Sequence, residues 1–248
     1  MAEWKAFTSL SEEQMQSIWN YDCKDPFAFL GIHPLQTDKG VKTVVRTYQP
    51  HASFVRAESM DGSVEFDFVK LGDSGFYEAV LDMDFEPFQY RLHITLPGGN
   101  IYHILDPYSF LPVLSDFDRY LINAGRHYEL YRKLGANLVT HQGIPGVHFA
   151  VWAPNAKSVA VVGSFNSWDG RRHPMRLLGE SGVWEIFIPE IGENELYRFE
   201  IHGMDGSLHV KIDPLAKLSE VRPATASITT HLDGYEWNDK LYMDTHHA

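Results

Sequence analysis

Four short segments in the first half of this 248-residue sequence recur in its second half. Three of them recur 107 residues later and one recurs 104 residues later: 71–78 with 178–185, 90–94 with 197–201, 106–107 with 213–214, and 48–52 with 152–156. A constant offset from residue 71 to residue 107 is hard to obtain by chance, and a small change of offset is typical of a loop insertion. The sequence therefore predicts two copies of one fold, each of about 100 residues.

Short runs in which apolar and polar residues alternate dominate both copies. Val64, Phe66 and Phe68 alternate with acidic residues in one such run, and the others are 41–48, 76–81, 89–94, 101–105, 147–152, 159–162, 184–188, 196–201 and 208–212. A period of two indicates a β-strand with one solvated face. Many short strands separated by Asp-Gly and Pro-Gly turns predict a mainly β chain of two tandem immunoglobulin-like antiparallel β-sandwiches.

Helix signals are few. The sequence Ser11-Glu12-Glu13-Gln14 is a capping box, and apolar residues follow it at helical spacing. Apolar residues within 117–134 predict one or two further short helices, interrupted at Gly125. We therefore expect an N-terminal module over 1–107 with a leading helix, a helical connector over 108–145, a second β-sandwich module over 146–232 and a linker over 233–248.

Charge and cysteine content exclude several classes of protein. Lys and Arg number 21 against 33 Asp and Glu, a net charge of −12, which disfavours nucleic acid and anionic membranes as partners. No stretch approaches 18 uninterrupted apolar residues, and the N-terminus lacks the pattern of a secretory signal. Cys23 is the single cysteine, so no disulfide can form within the chain, and a cytoplasmic location is expected.

Motifs for catalysis, metals or cofactors are not found. The acidic residues are scattered, so spacing singles out no carboxylate pair of the kind that cleaves sugar bonds. The sequence has no His-Glu-x-x-His, Cys-x-x-Cys, phosphate-loop or dinucleotide motif. Asp22 and Asp25 flank Cys23 and would raise the pKa of its thiol. We expect no catalytic residue, no metal site and no cofactor.

A loop after the run 159–162 is the best candidate for ligand binding. Its sequence, residues 163–170, contains Asn166 and Trp168 and precedes a basic segment at 171–176. An indole at a loop tip can stack on a glucose ring, while amides and guanidinium groups bind the hydroxyls. Alternatively, Trp168 covers the core or packs against a neighbouring domain, and the basic segment is either a solvated loop or a complement to an acidic partner. Trp184 is expected in the core.

Two segments in the second copy resemble bacterial glycogen branching enzymes. They are Pro-Gly-Val-His-Phe-Ala-Val-Trp-Ala-Pro-Asn-Ala at 145–156 and Gly-Ser-Phe-Asn-Ser-Trp-Asp-Gly-Arg-Arg-His-Pro-Met at 163–175. Residues 182–185, 213–216 and 222–227 continue the pattern, and 25–34 and 106–110 resemble the extra N-terminal module of some of these enzymes. The resemblance implies a starch- and glycogen-binding module of the kind placed before an α-amylase-type barrel.

Enzymes of that family transfer an α-1,4-glucan chain to an α-1,6 branch, using carboxylates on a (β/α)₈ barrel. Such a barrel needs about 250 residues of alternating strand and helix, which this strand-rich chain does not contain. The resemblance therefore implies the N-terminal portion of a branching enzyme, without branching activity of its own, whose partners are α-glucan and the catalytic barrel. The sequence stops where the barrel of the family begins.

The resemblance assigns glucan contacts to Trp168 and Arg198, and the amide of Asn166 lies in the same loop. A second aromatic residue normally follows the Asp-Gly turn, but Ser207 and Leu208 stand there. The first copy has no tryptophan in its corresponding loop at 58–62. We therefore expect weak glucan binding. Two alternatives are purely structural docking domains and a free-standing scaffold or regulatory protein.

Overall fold

A computed structural model describes residues 8–38, 40–232 and 237–246, and the described chain is mainly β-structure. The strands, in chain order from β1 to β17, are Gly31–Thr37, Gly40–Tyr48, Phe54–Ser59, Glu65–Asp67, Val69–Lys70, Phe76–Asp84, Tyr90–Thr95, Ile101–Leu105, Gly135–His141, Ile144–Trp152, Ala156–Gly163, Arg176–Leu177, Val183–Pro189, Leu196–Gly203, Leu208–Lys211, Leu218–Ser219 and Ser227–Ile228. Each run predicted to be a strand overlaps one of them.

In the part of the chain that the structure describes, three α-helices accompany the strands: α1 at Glu12–Trp19, α2 at Asp116–Asn123 and α3 at Lys240–His246. The capping box predicted at Ser11 is present, with its hydroxyl accepting from Gln14 N. An equivalent box at Ser115 begins α2. Of the segment expected to be a linker, residues 233–236 and 247–248 lie outside the described residues.

Antiparallel sheets form two sandwiches, as predicted. In the first, β1-β2-β6-β5 faces β4-β3-β7-β8. In the second, β12-β13-β10-β9 faces a sheet in which β11 pairs along one edge of β14. Strands β15 and β17 pair with successive parts of the opposite edge of β14, and β16 pairs with β17. Buried aromatic side chains fill both interiors, and Trp184 is 0% exposed, which confirms its predicted place in the core.

The strand register reproduces the sequence repeat. Tyr48 pairs with Phe76, and their counterparts Trp152 and Val183 pair with each other in the second sandwich. The hydroxyl of Tyr90 donates to Asp106 Oδ2 over 2.5 Å, and that of Tyr197 donates to Asp213 Oδ2 over 2.6 Å, across the same offset of 107 residues. Two copies of one fold are therefore confirmed.

The repeat is longer than the sequence segments indicated. The segment 108–145, expected to be a helical connector, contains the short helix α2, which overlaps the range predicted for it, and also a strand that was not predicted. Helix α2 lies 104 residues after α1, and Gly135 lies 104 residues after Gly31, with φ angles of 83° and 87°. Residues 135–141 form β9, the counterpart of β1, inside the segment that was expected to be the connector. The segment before it is thus the leading part of the second repeat, because it takes the same course as residues 10–30.

The two repeats are in close contact. The ring of Tyr21 stacks on His202 at 4.4 Å, and Tyr21 O accepts from Ser158 Oγ over 2.5 Å. Arg91 of the first repeat pairs with Glu190 of the second, through two bonds of 2.6 and 2.7 Å. One apolar cluster includes residues from both repeats, so the first repeat is fixed against the second.

A buried carboxylate ties the start of α2 to the second sandwich. Glu185 is 0% exposed and accepts hydrogen bonds from Val113 N, Leu114 N, His148 Nε2 and Arg176 Nε. Burial alone would raise its pKa, but these hydrogen bonds and the nearby positive charge hold the pKa of Glu185 below its ordinary value. Both carboxylate oxygens of Glu185 therefore accept hydrogen bonds within the fold, and the residue has a structural role.

Candidate functional site

The loop that follows β11 is held in an unusual backbone conformation. Gly163 ends the strand at a point where a Cβ atom would lie 2.3 Å from Leu196 O. Ser167 and Trp168 both adopt left-handed φ angles, 58° and 61°, which side chains with a Cβ rarely take. Such a backbone persists only where the surroundings over-determine it, and the bonds to Asn166 provide that constraint.

The amide of Asn166 is buried, which corrects its predicted contact with sugar. Its Oδ1 accepts from Gly163 N over 2.9 Å, and its Nδ2 donates to Val161 O and to His173 Nδ1, each over 2.9 Å. The residue is 0% exposed, because the loop folds back over it. Asn166 is therefore a positioning residue that shapes the loop, and its hydrogen-bonding groups are not presented at the surface.

His173 accepts the hydrogen bond from Asn166 as a neutral imidazole. Burial, together with the charge of Arg172, lowers the pKa of His173 to about 3. Its Nδ1 can then accept the bond from Asn166 at neutral pH. The ring of Phe165 packs 5.6 Å from His173 and 5.6 Å from Phe149, so the base of the loop is part of the core.

Trp168 and Arg198 lie together on the surface above that base. The indole of Trp168 is 43% exposed, and the guanidinium carbon of Arg198 lies 5.8 Å from the ring centroid. Arg198 Nη2 donates to the hydroxyl of exposed Thr225 over 2.8 Å, while its Nε is buried without a hydrogen-bond partner. The arrangement is an open aromatic platform with cationic and hydroxyl groups at its side. The structure thus brings together two of the three residues predicted for the site and adds Thr225.

The three arginines of the basic segment beside the loop each have a partner within the chain. Arg171 pairs with Asp169 over 2.9 Å, and Arg172 Nη2 donates to the hydroxyl of Tyr102 in the first repeat. Arg176 is 7% exposed and lies 3.8 Å over the ring of Phe27. Arg172 and Arg176 therefore connect the segment to the first repeat, so it is not simply a solvated loop, while the side chain of Arg171 stays 36% exposed. An acidic partner for the segment stays a prediction.

Among the described residues of the first repeat, the loop that corresponds to 163–170 presents no aromatic side chain beside an arginine. Its corresponding loop is a tight turn at Asp61 and Gly62, and Met60 is its exposed apolar side chain. Arg91 is the counterpart of Arg198 at the offset of 107, and it is engaged by Glu190. The equivalent face of the first repeat is therefore occupied by a contact with the second.

The other candidate features are the Cys23 thiol, metal ligands and membrane-spanning helices. Burial raises the pKa of the Cys23 thiol to about 11, with smaller contributions from Asp25 and Asp22, so the expected direction is confirmed but its main cause is burial. Within the described ranges, no three His, Cys, Asp or Glu side chains form a group that could hold a metal. Among the same residues, no helix is both long and apolar enough to cross a membrane.

Two family models match the chain, one on each repeat. Residues 11–108 match the N-terminal domain of the alpha-1,4-glucan branching enzyme GlgB. Residues 133–216 match carbohydrate-binding module 48, the isoamylase N-terminal domain. Among solved structures, a pullulanase type I from Bacillus subtilis complexed with maltose is 17% identical and has a TM-score of 0.36, over 84% of this chain and 28% of that one.

Curated relatives give the same family. The 1,4-alpha-glucan branching enzyme GlgB of Methylococcus capsulatus is 45% identical over 88% of this chain and 29% of its own length. That of Protochlamydia amoebophila is 41% identical over 98% of this chain and 32% of its own length. The chain thus spans about a third of the length of these relatives. It therefore corresponds to the N-terminal region of the 1,4-alpha-glucan branching enzymes, a GlgB N-terminal domain followed by a carbohydrate-binding module 48.

Proposed function

We propose that the chain binds α-1,4-glucan weakly through Trp168 and Arg198 and positions the catalytic domain of a branching enzyme. The observation that carries this proposal is the exposed indole, held by a constrained loop beside a guanidinium group. A pyranose ring offers an apolar C–H face to the indole, and its hydroxyls can accept from Arg198. An open platform suits a chain of sugars that extends past the protein. The family match to a carbohydrate-binding module supports the same assignment.

The affinity should be low because the platform holds a single aromatic ring. Leu208 stands where a second ring would be and is 56% exposed. Loss of one stacking ring weakens binding by about 1–3 kcal/mol, on the scale known for bases stacked on aromatic side chains. We expect a dissociation constant in the millimolar range, which corresponds to about −4 kcal/mol.

Mobility in native gels that contain glycogen, together with tryptophan fluorescence during titration with maltoheptaose, tests this proposal. Wild-type chain should be retarded and its fluorescence should shift. Trp168→Ala should abolish both responses and lower the stability by less than about 2 kcal/mol, because the indole is already 43% exposed. Trp152→Ala is the matched control, since Trp152 is also exposed, at 57%, and should leave retardation unchanged. Equal retardation of wild type and Trp168→Ala would refute the platform.

Docking without glucan binding is the second candidate. The contact of Arg91 with Glu190 favours it, because the equivalent face of the first repeat is used for packing between domains. In that case maltoheptaose would leave the fluorescence of the wild-type chain unchanged.

We also infer that the chain does not branch glucan on its own. The buried carboxylates Glu185 and Asp213 are engaged in internal hydrogen bonds, which supports this inference. Iodine staining of amylose should stay unchanged after incubation with the chain, and a fall in staining would contradict the inference.

For the domain organisation, we propose a GlgB-type module up to residue 107 and a glucan-binding module that ends near residue 232. The second module would begin near Ser115 rather than at residue 146. The equivalence of α2 with α1 supports that earlier boundary.

A further inference from the structure

A groove of about 430 Å³ lies between α2 and the end of β10, away from the Trp168 platform. Trp152 is its largest side chain, and the indole is 57% exposed. The groove is lined by residues that include Ile122, Asn123, His127, Trp152, Pro154 and Ser181. We call it the Trp152 groove.

The first repeat has an indole in the corresponding place. Asn123 is the counterpart of Trp19, whose Nε1 donates to Ser74 O over 3.0 Å and whose ring packs edge-on to Phe76 at 5.9 Å. Ser74 corresponds to Ser181, which lines the Trp152 groove. The groove is therefore the space that a tryptophan side chain fills in the other copy of the fold.

A polar atom in the groove also lacks a partner. His127 lines the groove, and its side chain is 8% exposed. Its Nε2 bonds Asp118 over 3.2 Å, while its Nδ1 is buried without a hydrogen-bond partner. A buried polar atom without a partner is rare in native proteins, so an occupant that bonds His127 would remove the deficit.

The position of the groove indicates which kind of occupant it has. In the first repeat, the loop that follows α1 is covered by the next repeat, since Tyr21 stacks on His202 and Leu177 N donates to Lys24 O. In the second repeat, the equivalent loop is open to solvent, and Tyr128, the counterpart of Lys24, is 94% exposed. In a head-to-tail arrangement, each copy presents the same surface to the segment that comes after it in the chain. The loop after α2 should therefore face the polypeptide after the second repeat, as the loop after α1 faces the second repeat.

We propose that the Trp152 groove receives an aromatic side chain from the polypeptide that follows this region in branching enzymes. The curated relatives are about three times as long as this chain, so they have ample polypeptide to supply it. The inserted ring packs on Trp152 and Pro154. A donor on it bonds the Ser181 carbonyl, as Trp19 Nε1 bonds Ser74 O in the first repeat, or it bonds His127. This contact is independent of glucan binding at Trp168.

Nuclear magnetic resonance of the ¹⁵N-labelled chain tests the shape of the groove, with N-acetyl-L-tryptophanamide as the probe. The indole N–H resonance of Trp152, assigned from a Trp152→Phe variant, should move and saturate at millimolar probe. Asn123→Trp should fill the groove, reduce that movement at least tenfold and raise the melting temperature. Asn123→Ala is the matched control, because it leaves the groove open and should keep the response.

A fusion tests the origin of the occupant. This chain would replace the matched region of the Methylococcus capsulatus enzyme, with which it is 45% identical. Oxidation of indoles by N-bromosuccinimide, followed by peptide mass spectrometry, should be at least tenfold slower at Trp152 in the fusion than in the free chain. Trp168 should remain reactive in both.

Three results would overturn the proposal. Maltoheptaose that moves the Trp152 resonance as much as the indole probe would make the groove a sugar platform. A lower melting temperature or an unchanged probe response in Asn123→Trp would contradict the equivalence with Trp19. Equal oxidation of Trp152 in the fusion and in the free chain would show that no following segment covers it. A failed glycogen assay at Trp168 would affect none of these readouts.

Discussion

The variant Asn166→Ala tests whether Asn166 shapes the loop or contacts a ligand. The substitution removes three hydrogen bonds and leaves Gly163 N, Val161 O and His173 Nδ1 without a partner in the core. Each buried group left unpaired costs about 1–3 kcal/mol, although the cavity left by the amide can admit water. We expect the free energy of unfolding to fall by about 3–5 kcal/mol.

That loss should be visible as a lower melting temperature. For a chain of this size, 1 kcal/mol shifts the melting temperature by about 2–4 °C, so a decrease of about 6–20 °C is expected. Thermal and urea unfolding followed by circular dichroism measure it. Asn155→Ala is the matched control, because Asn155 is an exposed asparagine of the same repeat and its loss should change stability by less than about 0.5 kcal/mol.

Glucan binding by the folded fraction completes the test. Asn166→Ala should weaken retardation in glycogen gels only as far as the loop is disordered, whereas Trp168→Ala should abolish retardation in a chain of nearly normal stability. An Asn166→Ala protein that melts like wild type but no longer binds glycogen would refute the reasoning, since the amide would then have to face the sugar.

Two further predictions concern the loop base and the first repeat. Burial lowers the pKa of His173 to about 3 in the folded chain. As the pH falls below about 6.5, this histidine is therefore protonated in the unfolded chain but stays neutral in the folded one. The free energy of unfolding has its full value above that pH and should fall by about 2 kcal/mol between pH 6.5 and 5. Urea unfolding across this range should show a shallower decline for His173→Gln, and parallel curves would contradict the assignment. Gly31→Ala should lose about 3 kcal/mol in thermal unfolding, because φ is 87° and the new Cβ would lie 2.4 Å from Tyr108 O. Gly98→Ala, with no atom within 4 Å of its Cβ and no positive φ, should be neutral, and equal losses in the two variants would refute the steric reason.

Local patterns in the sequence were sufficient to predict the sandwiches. Alternation with a period of two and Asp-Gly turns are properties of neighbouring residues, so the strands and the duplicated register followed from them. A short helix within 117–134 was predicted, but its equivalence with α1 and the strand β9 were missed, because the helix faces differ, with Trp19 replaced by Asn123. The signal that could have revealed them is modest: Leu-Ser at 10–11 and at 114–115, and Leu-Gly at 30–31 and at 134–135, each 104 residues apart.

The candidate site was predicted in part. Trp168 was singled out from its loop and supported by the resemblance, whereas Arg198 came from the resemblance alone. The register that pairs Val162 with Arg198 places the guanidinium group beside the loop. Asn166 was assigned wrongly, because an amide next to a loop tryptophan has the right chemistry for sugar whether it points outward or inward. Its direction depends on the backbone turn at Ser167, where φ is 58°, which no local pattern specifies.

The sequence by itself determined that the chain is a duplicated β-sandwich with one tryptophan-bearing loop. Strand periodicity, turn residues and capping boxes act over a few residues, so they can be recognised without the fold. Only the tertiary structure decided which polar groups are paired within the fold and which surfaces remain exposed to solvent. Arg176 is buried over Phe27 and Arg91 is paired with Glu190, while Trp152 stays exposed, because burial depends on residues that meet across 60 or more positions of the chain.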